Sequence, residues 1–216
     1  MILAITGGTG FVGGHLIRRA VEAGHHVRAL ARRPQPARSG VEWLPGALDD
    51  AAALARLVDG ADAVVHVAGV VNAPDRAGFV AGNVEGTRAM LAASGGRRRF
   101  VHVSSLAARE PGLSNYGWSK AEAERLVESS ASSWTIVRPP AIYGPGDLDQ
   151  LDLFRFARRG IMLLPPRGRL SLIAADDLVR LLLALATGDA PRTILEADDG
   201  TADRKSGSAG MPRPIL

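Results

Sequence analysis

The chain has no cysteine among its 216 residues. That excludes disulfide staples, thiol nucleophiles and cysteine-based metal sites. Histidine is scarce too: there are five, and none stands at a ligand spacing from another. His25 and His26 read as a solvated turn between a helix and a strand. Long apolar runs are missing. Leu178–Ala186, the longest near the end, is interrupted by Arg180 and is far too short to span a bilayer. No basic lead-in precedes the first apolar residues, so they read as a strand and not as a signal peptide. A soluble, cytoplasmic protein is expected, with no membrane partner.

A strong charge bias is absent as well. The net charge is +4, from 26 basic and 22 acidic residues. The arginines are scattered as Arg18-Arg19, Arg32-Arg33, Arg97-Arg98-Arg99 and Arg158-Arg159, without interleaved aromatics. The excess reads as general surface plus one anion site, and nucleic acid is not an expected partner. With 46% apolar and 22% charged residues, the composition is that of an ordinary globular domain with a sizeable core.

What is present begins at once. Ile2, Leu3 and Ala4 suit a buried first strand, and Ile5-Thr6-Gly7-Gly8-Thr9-Gly10-Phe11-Val12-Gly13 follows, with a helical run from Phe11 to Ala23. A strand that turns through glycines into a helix leaves backbone N–H groups at the positive end of a helix dipole. That arrangement binds phosphate, and a second strand behind it (Val27–Leu30) makes it a dinucleotide site. Gly7, Gly10, Phe11, Val12 and Gly13 are the residues expected to hold the cofactor. The bland alternative is a flexible glycine-rich turn.

Strand and helix signals then alternate. Strands are expected at His26–Ala31, Val41–Leu44, Ala61–Ala68, Arg99–Ser104 and Trp134–Arg138. Helices are expected at Asp50–Leu57, from about Asn83 to Ala93, and from about Tyr116 to Glu128. Strands apolar on both faces and separated by helices imply an α/β fold, a doubly wound Rossmann-type parallel sheet.

The end of the second strand discriminates between cofactors. An NAD-preferring fold usually places an acid there to accept from the ribose 2′-OH, and this chain has Arg32 and Arg33 instead. Two guanidinium groups would clamp a 2′-phosphate, which favours NADP(H) over NAD(H). The alternative is two solvated arginines before the Pro34–Pro36 loop. Leu48 and Asp49 follow the third strand, where Asp49 would meet the adenine edge, cap the next helix, or both. Ala68 and Gly69 end the fourth strand with small residues that let backbone approach a ligand. His66 reads as a satisfied structural histidine.

Tyr116 and Lys120 stand four apart, on one face of a helix. A phenol has a pKa near ~10, and a neighbouring ammonium lowers it and poises Tyr116 for proton transfer. Ser104-Ser105 closes the preceding strand and would bond a substrate oxygen beside the phenol. On composition alone, such a Tyr/Lys pair is more often an ordinary surface pair than a catalytic one.

Taken together, Thr6 to Gly13, Asp49, His66-Val67-Ala68-Gly69, Asn83-Val84-Glu85-Gly86-Thr87, Val103-Ser104-Ser105, Tyr116/Lys120, Arg138-Pro139-Pro140 and Tyr143-Gly144-Pro145-Gly146 resemble the extended short-chain dehydrogenase/reductase family. That family includes NAD(P)-dependent epimerases and dehydratases, and the match in order and spacing runs from residue 1 to about 147. The resemblance implies a Ser105/Tyr116/Lys120 site. Tyr116 would be the general acid/base, Lys120 would lower its pKa and hold the nicotinamide ribose, and Ser105, rather than Ser104, would bind the reacting oxygen. Asn83 would support the cofactor cleft, and the segment containing Pro139 and Ala141 would lie against the nicotinamide. The implied chemistry is hydride transfer at a carbon bearing OH or C=O on a small-molecule substrate. A homodimer is expected by analogy.

The organisation expected is a dinucleotide-binding domain over 1–147, a partial substrate-binding region over 148–200 and a disordered tail over 201–216. A helix at Leu151–Arg159, strands at Leu170–Ala174 and Thr193–Glu196, and a helix at Asp176–Ala186 fill the second part. The polar, glycine-rich end resembles a truncation of the family's substrate lid. A binding scaffold or redox sensor without turnover is therefore the alternative function, and a damaged gene product is a third.

Overall fold

Strand β1 (Ile2–Thr6) sends Leu3 and Ile5 into one buried cluster and Ala4 into another. The same split recurs in β4 (Ala63–His66), where Ala63 and Val65 part from Val64. In β5 (Arg99–Val103), Val101 and Val103 part from Phe100. A strand apolar on both faces must be covered on both. Helices α1 (Phe11–Glu22) and α6 (Ala175–Thr187) cover the first face with Leu16, Ile17, Leu178 and Leu182. Helices α2 (Ala51–Val58), α4 (Gly86–Ser94) and α5 (Asn115–Glu128) cover the second with Leu54, Leu57, Met90 and Val127. Each such side chain contributes about 1.5–3 kcal/mol when fully buried.

The structure is a computed structural model and describes residues 1–96, 98–130, 133–147, 155–156, 158–159 and 171–198. The main sheet adds β2 (His26–Ala31), β3 (Val41–Pro45), β6 (Ser133–Arg138) and β9 (Thr193–Glu196). Its order is β3-β2-β1-β4-β5-β6-β9, with every neighbouring pair parallel. The chain builds outward from β1 to β3, then returns to the other side of β1 as β4. That reversal opens a crevice at the carboxyl ends of β1 and β4, where such sheets bind ligands.

The expected Rossmann-type sheet is present, with local differences. The fourth strand is shorter than the expected Ala61–Ala68. The helix expected from Asn83 begins earlier, as α3 (Arg76–Phe79), a π-helical turn (Val80–Glu85) and then α4. Gly78, Gly82 and Gly86 weaken the helical signal there. Packing requires two of them: a β-carbon on Gly82 would stand 2.2 Å from Val70 Cγ2, and one on Gly86 2.6 Å from Leu48 Cδ1. A second sheet was not expected: β7 (Ala141–Tyr143) pairs in parallel with β8 (Leu172–Ala174). The expected helix at 151–159 lies largely outside the described residues, as does the tail over 201–216. Among the described residues no helix is long and apolar enough to cross a membrane.

Candidate active site

The site begins with the glycines after β1. Gly7 has φ of +73°, which residues with a side chain rarely adopt. A β-carbon on Gly7 would stand 2.6 Å from the Ala68 backbone nitrogen, and one on Gly13 would stand 2.1 Å from the Gly7 carbonyl oxygen. The first contact holds the loop against the end of β4, and the second holds α1 against the loop. Helix α1 has Gly10 as its cap residue, so it starts with no side-chain cap and no acid in its first turn. By contrast, Asp50, Asp75 and Ser114 each accept a backbone N–H of their own helix at 2.9 Å. An uncapped helix start beside a cradle free of side chains fits a diphosphate. Clefts flank this turn on two sides. One of about 150 Å³ contains Val12, and one of about 460 Å³ contains Gly10 and Phe11 together with His15 and Arg18.

The residues expected to select the cofactor lie at the ends of β2 and β3. Arg32 and Arg33 are exposed, while Arg28 of the same strand is bound to Glu42 at 2.7 Å. Neither Arg32 nor Arg33 is paired with a carboxylate among the described residues. Asp49 is exposed and does not cap α2; the cap is Asp50, which corrects that expectation. Leu48 packs on Gly86. The Ala68 N–H donates to Thr6 Oγ1 at 3.3 Å, and Gly69 lines the smaller cleft. Pro139 lines it as well. Ala141 does not: it is exposed in β7, and Pro140 and Ile142 line the cleft instead.

Ser105, Tyr116 and Lys120 all line that smaller cleft. Ser105 caps a 3₁₀ helix (Leu106–Arg109) and accepts the Ala107 N–H at 3.2 Å. Its hydroxyl faces the same cleft as the Tyr116 phenol and lies near enough to favour the phenolate. Gly117 makes this approach possible, since a β-carbon there would stand 2.6 Å from the Ala107 carbonyl oxygen. Ser104 is committed elsewhere, donating to the buried carboxylate of Glu124. Lys120 is buried and donates from Nζ to the Val103 carbonyl at 2.8 Å.

The electrostatics differ from the expected scheme. Burial pushes the Tyr116 phenol above its ordinary pKa, and the nearby Ser105 hydroxyl opposes it. The lowering expected from Lys120 does not emerge, so the phenol is protonated at neutral pH. Burial lowers Lys120 to about 8, opposed by the Glu124 carboxylate. The arrangement is a proton donor beside a cation that titrates near physiological pH.

A chain of hydrogen bonds supports the cleft from below. His66 is fully buried, with Nδ1 at 2.7 Å from Thr6 Oγ1 and Nε2 at 3.1 Å from Thr87 Oγ1. Thr87 donates to the Asn83 carbonyl at 2.7 Å. The Thr87 hydroxyl proton is thereby used, so Nε2 carries the imidazole proton and Nδ1 accepts from Thr6. Burial, with Lys120 nearby, holds His66 neutral with a pKa of about 3. It is the satisfied structural histidine expected. Asn83, on the π-helical turn, accepts from the Val70 N–H at 2.6 Å and donates to the Val70 carbonyl and to Ser119 Oγ, each at 2.9 Å. It ties the strand end to α5. Sequence reasoning missed Gly117, Glu124 and His102, although Glu124 is legible as one turn beyond Lys120.

A family model described as NAD(P)H-binding matches residues 7–149. Ceramide reductase of Caulobacter vibrioides is 44% identical over 190 residues, 85% of this chain and 60% of that protein. A (4-alkanoyl-5-oxo-2,5-dihydrofuran-3-yl)methyl phosphate reductase of Streptomyces griseus is 37% identical over 142 residues, 64% of this chain and 47% of its own length. The chain thus spans only about half of the curated relatives it matches. Among solved structures, MoeE5 in complex with UDP-glucose and NAD superposes with a TM-score of 0.80 at 26% identity, covering 93% of this chain and 77% of that one.

Proposed function

Because the chain belongs to the NAD(P)H-binding family, in its extended short-chain dehydrogenase/reductase branch, we propose that it reduces a carbonyl carbon with an NADP(H)-type cofactor. The observation that carries this is the one cleft lined by Ser105, a protonated Tyr116 phenol and the buried Lys120. Ser105 would orient the substrate oxygen, and Tyr116 would give that oxygen its proton as the alkoxide forms. A bound reduced nicotinamide would supply the hydride that the carbon gains. Lys120 would favour the phenolate left behind, and the deprotonated phenol would regain its proton from solvent.

The glycine loop would hold the diphosphate, and Arg32 and Arg33 the 2′-phosphate. The neighbouring substrate lining is apolar: Val67, Val70, Val71 and Ile142 stand there, and Lys120 is the sole cation among the described lining residues. That supports an apolar carbonyl compound, the class for which ceramide reductase is named, over a UDP-sugar of the kind MoeE5 holds. Parallel titration with NADPH and NADH, followed by nicotinamide fluorescence, tests the reading. Micromolar binding with an NADPH preference supports it, and binding of neither removes it.

A further inference from the structure

Glu124 is an ionisable side chain only 3% exposed, a place such residues occupy only when paired. It lies one turn beyond Lys120 on α5. Lys120 donates to the Val103 carbonyl, and Glu124 accepts from Ser104 Oγ. Two successive residues at the end of β5 are thus gripped by two successive turns of α5. From the end of β6, Arg138 donates to both Glu124 oxygens, Nε at 2.9 Å and Nη2 at 2.6 Å. Arg138 also reaches Glu196 of β9 at 3.3 Å, and Glu196 pairs at 3.4 Å with Arg109, which ends the 3₁₀ helix behind Ser105. The three residues of the cleft therefore sit on elements tied together through one buried carboxylate.

We propose that Glu124 is a positioning residue of the site, fixing α5 in register on the ends of β5 and β6 and supplying the negative charge beside the buried Lys120 ammonium. This rests on the reading of Tyr116 and Lys120 as the reacting pair. The charged and titratable groups near Lys120 are Tyr116 and Glu124 from α5, His66 from β4 and His102 from β5, with Arg138 from β6 bonded to Glu124. Burial keeps both imidazoles neutral. Glu124 is then the one anion among these groups, and it opposes the effect of burial on Lys120.

The chain contains two lysines, Lys120 and Lys205, so lysine-selective ¹³C labelling gives two side-chain signals, and Lys205→Arg assigns them. In the otherwise unaltered chain the Lys120 signal should titrate near 8. In Glu124→Gln its midpoint should fall by about half a unit or more, because an adjacent opposite charge is lost. Glu124→Asp keeps the charge and should recover most of that fall. A folded Glu124→Gln protein with an unshifted midpoint overturns the proposal. If Glu124→Gln does not fold, Arg138→Gln, which frees the Glu124 carboxylate from its partner, is read against the parent, and a midpoint that does not rise overturns it equally. The signal needs no turnover. A shift in Glu124→Gln with full turnover in Tyr116→Phe would leave Glu124 holding Lys120 and remove the chemistry assigned to the pair.

Discussion

Gly117 stands so close to Ala107 that a β-carbon would lie 2.6 Å from the Ala107 carbonyl oxygen. The start of α5 and the 3₁₀ helix after Ser105 touch backbone to backbone, which brings the phenol to the serine. Gly117→Ala sets two effects against each other. Alanine gains about 1 kcal/mol of helix propensity, while overpacking against backbone costs about 1–3 kcal/mol. The overpacking should win. A lower melting temperature and a fall in turnover, with NADPH affinity nearly kept, are expected; a more stable, fully active protein would contradict the contact.

The glycine loop makes a sharper demand. A β-carbon on Gly13 would meet the Gly7 carbonyl oxygen at 2.1 Å, and neither backbone can yield without moving α1. Gly13→Ala should abolish nicotinamide fluorescence enhancement and lower stability together. Retained cofactor binding would show that the loop is not the diphosphate cradle.

Much of this was legible in the sequence. Thr6 to Gly13, the all-apolar Val64-Val65 strand and the Tyr116/Lys120 spacing carry their structure locally, through glycine geometry, strand period and helical period. What was hidden depends on distant partners. The three residues of β7 become a strand only by pairing with Leu172–Ala174, far along the chain. The π-helical turn hides behind glycines that exist to admit Val70 and Leu48. Glu124 reads as helix surface until Ser104 and Arg138 arrive from two strands. Asp49 and Asp50 are equivalent on paper, and only the helix start decides which is the cap.

His102 bears on acid stability. It is buried against His66, ring centroids 5.4 Å apart, and its two nitrogens meet no hydrogen-bond partner among the described residues. Burial holds both pKa values below the ordinary ~6.5. The unfolded chain therefore binds more protons at acid pH. Stability is full above about 6.5 and is lost as pH falls towards the folded-state values. His102→Phe should reduce the slope of urea-denaturation free energy between pH 5 and 6 by about 1 kcal/mol per pH unit. An unchanged slope would mean that His102 is protonated in the folded protein.

Arg32 and Arg33 bear on the cofactor. Replacing both with Ser removes charge-assisted bonds worth about 1.5–3 kcal/mol each. NADPH affinity should drop roughly a hundredfold or more by those magnitudes, while NADH affinity changes little. Equal losses for the two cofactors, measured by fluorescence titration, would show that the arginines are only surface.

On the proposed reading, Tyr116 gives the substrate oxygen its proton. The most direct measurement is Tyr116→Phe, with carbonyl reduction and NADPH binding followed on the same preparation. Turnover should fall by about 10²–10⁴-fold, the usual contribution of a positioned acid, with NADPH affinity nearly intact because the phenol is not needed to hold the diphosphate. Turnover equal to that of the parent protein would contradict the account.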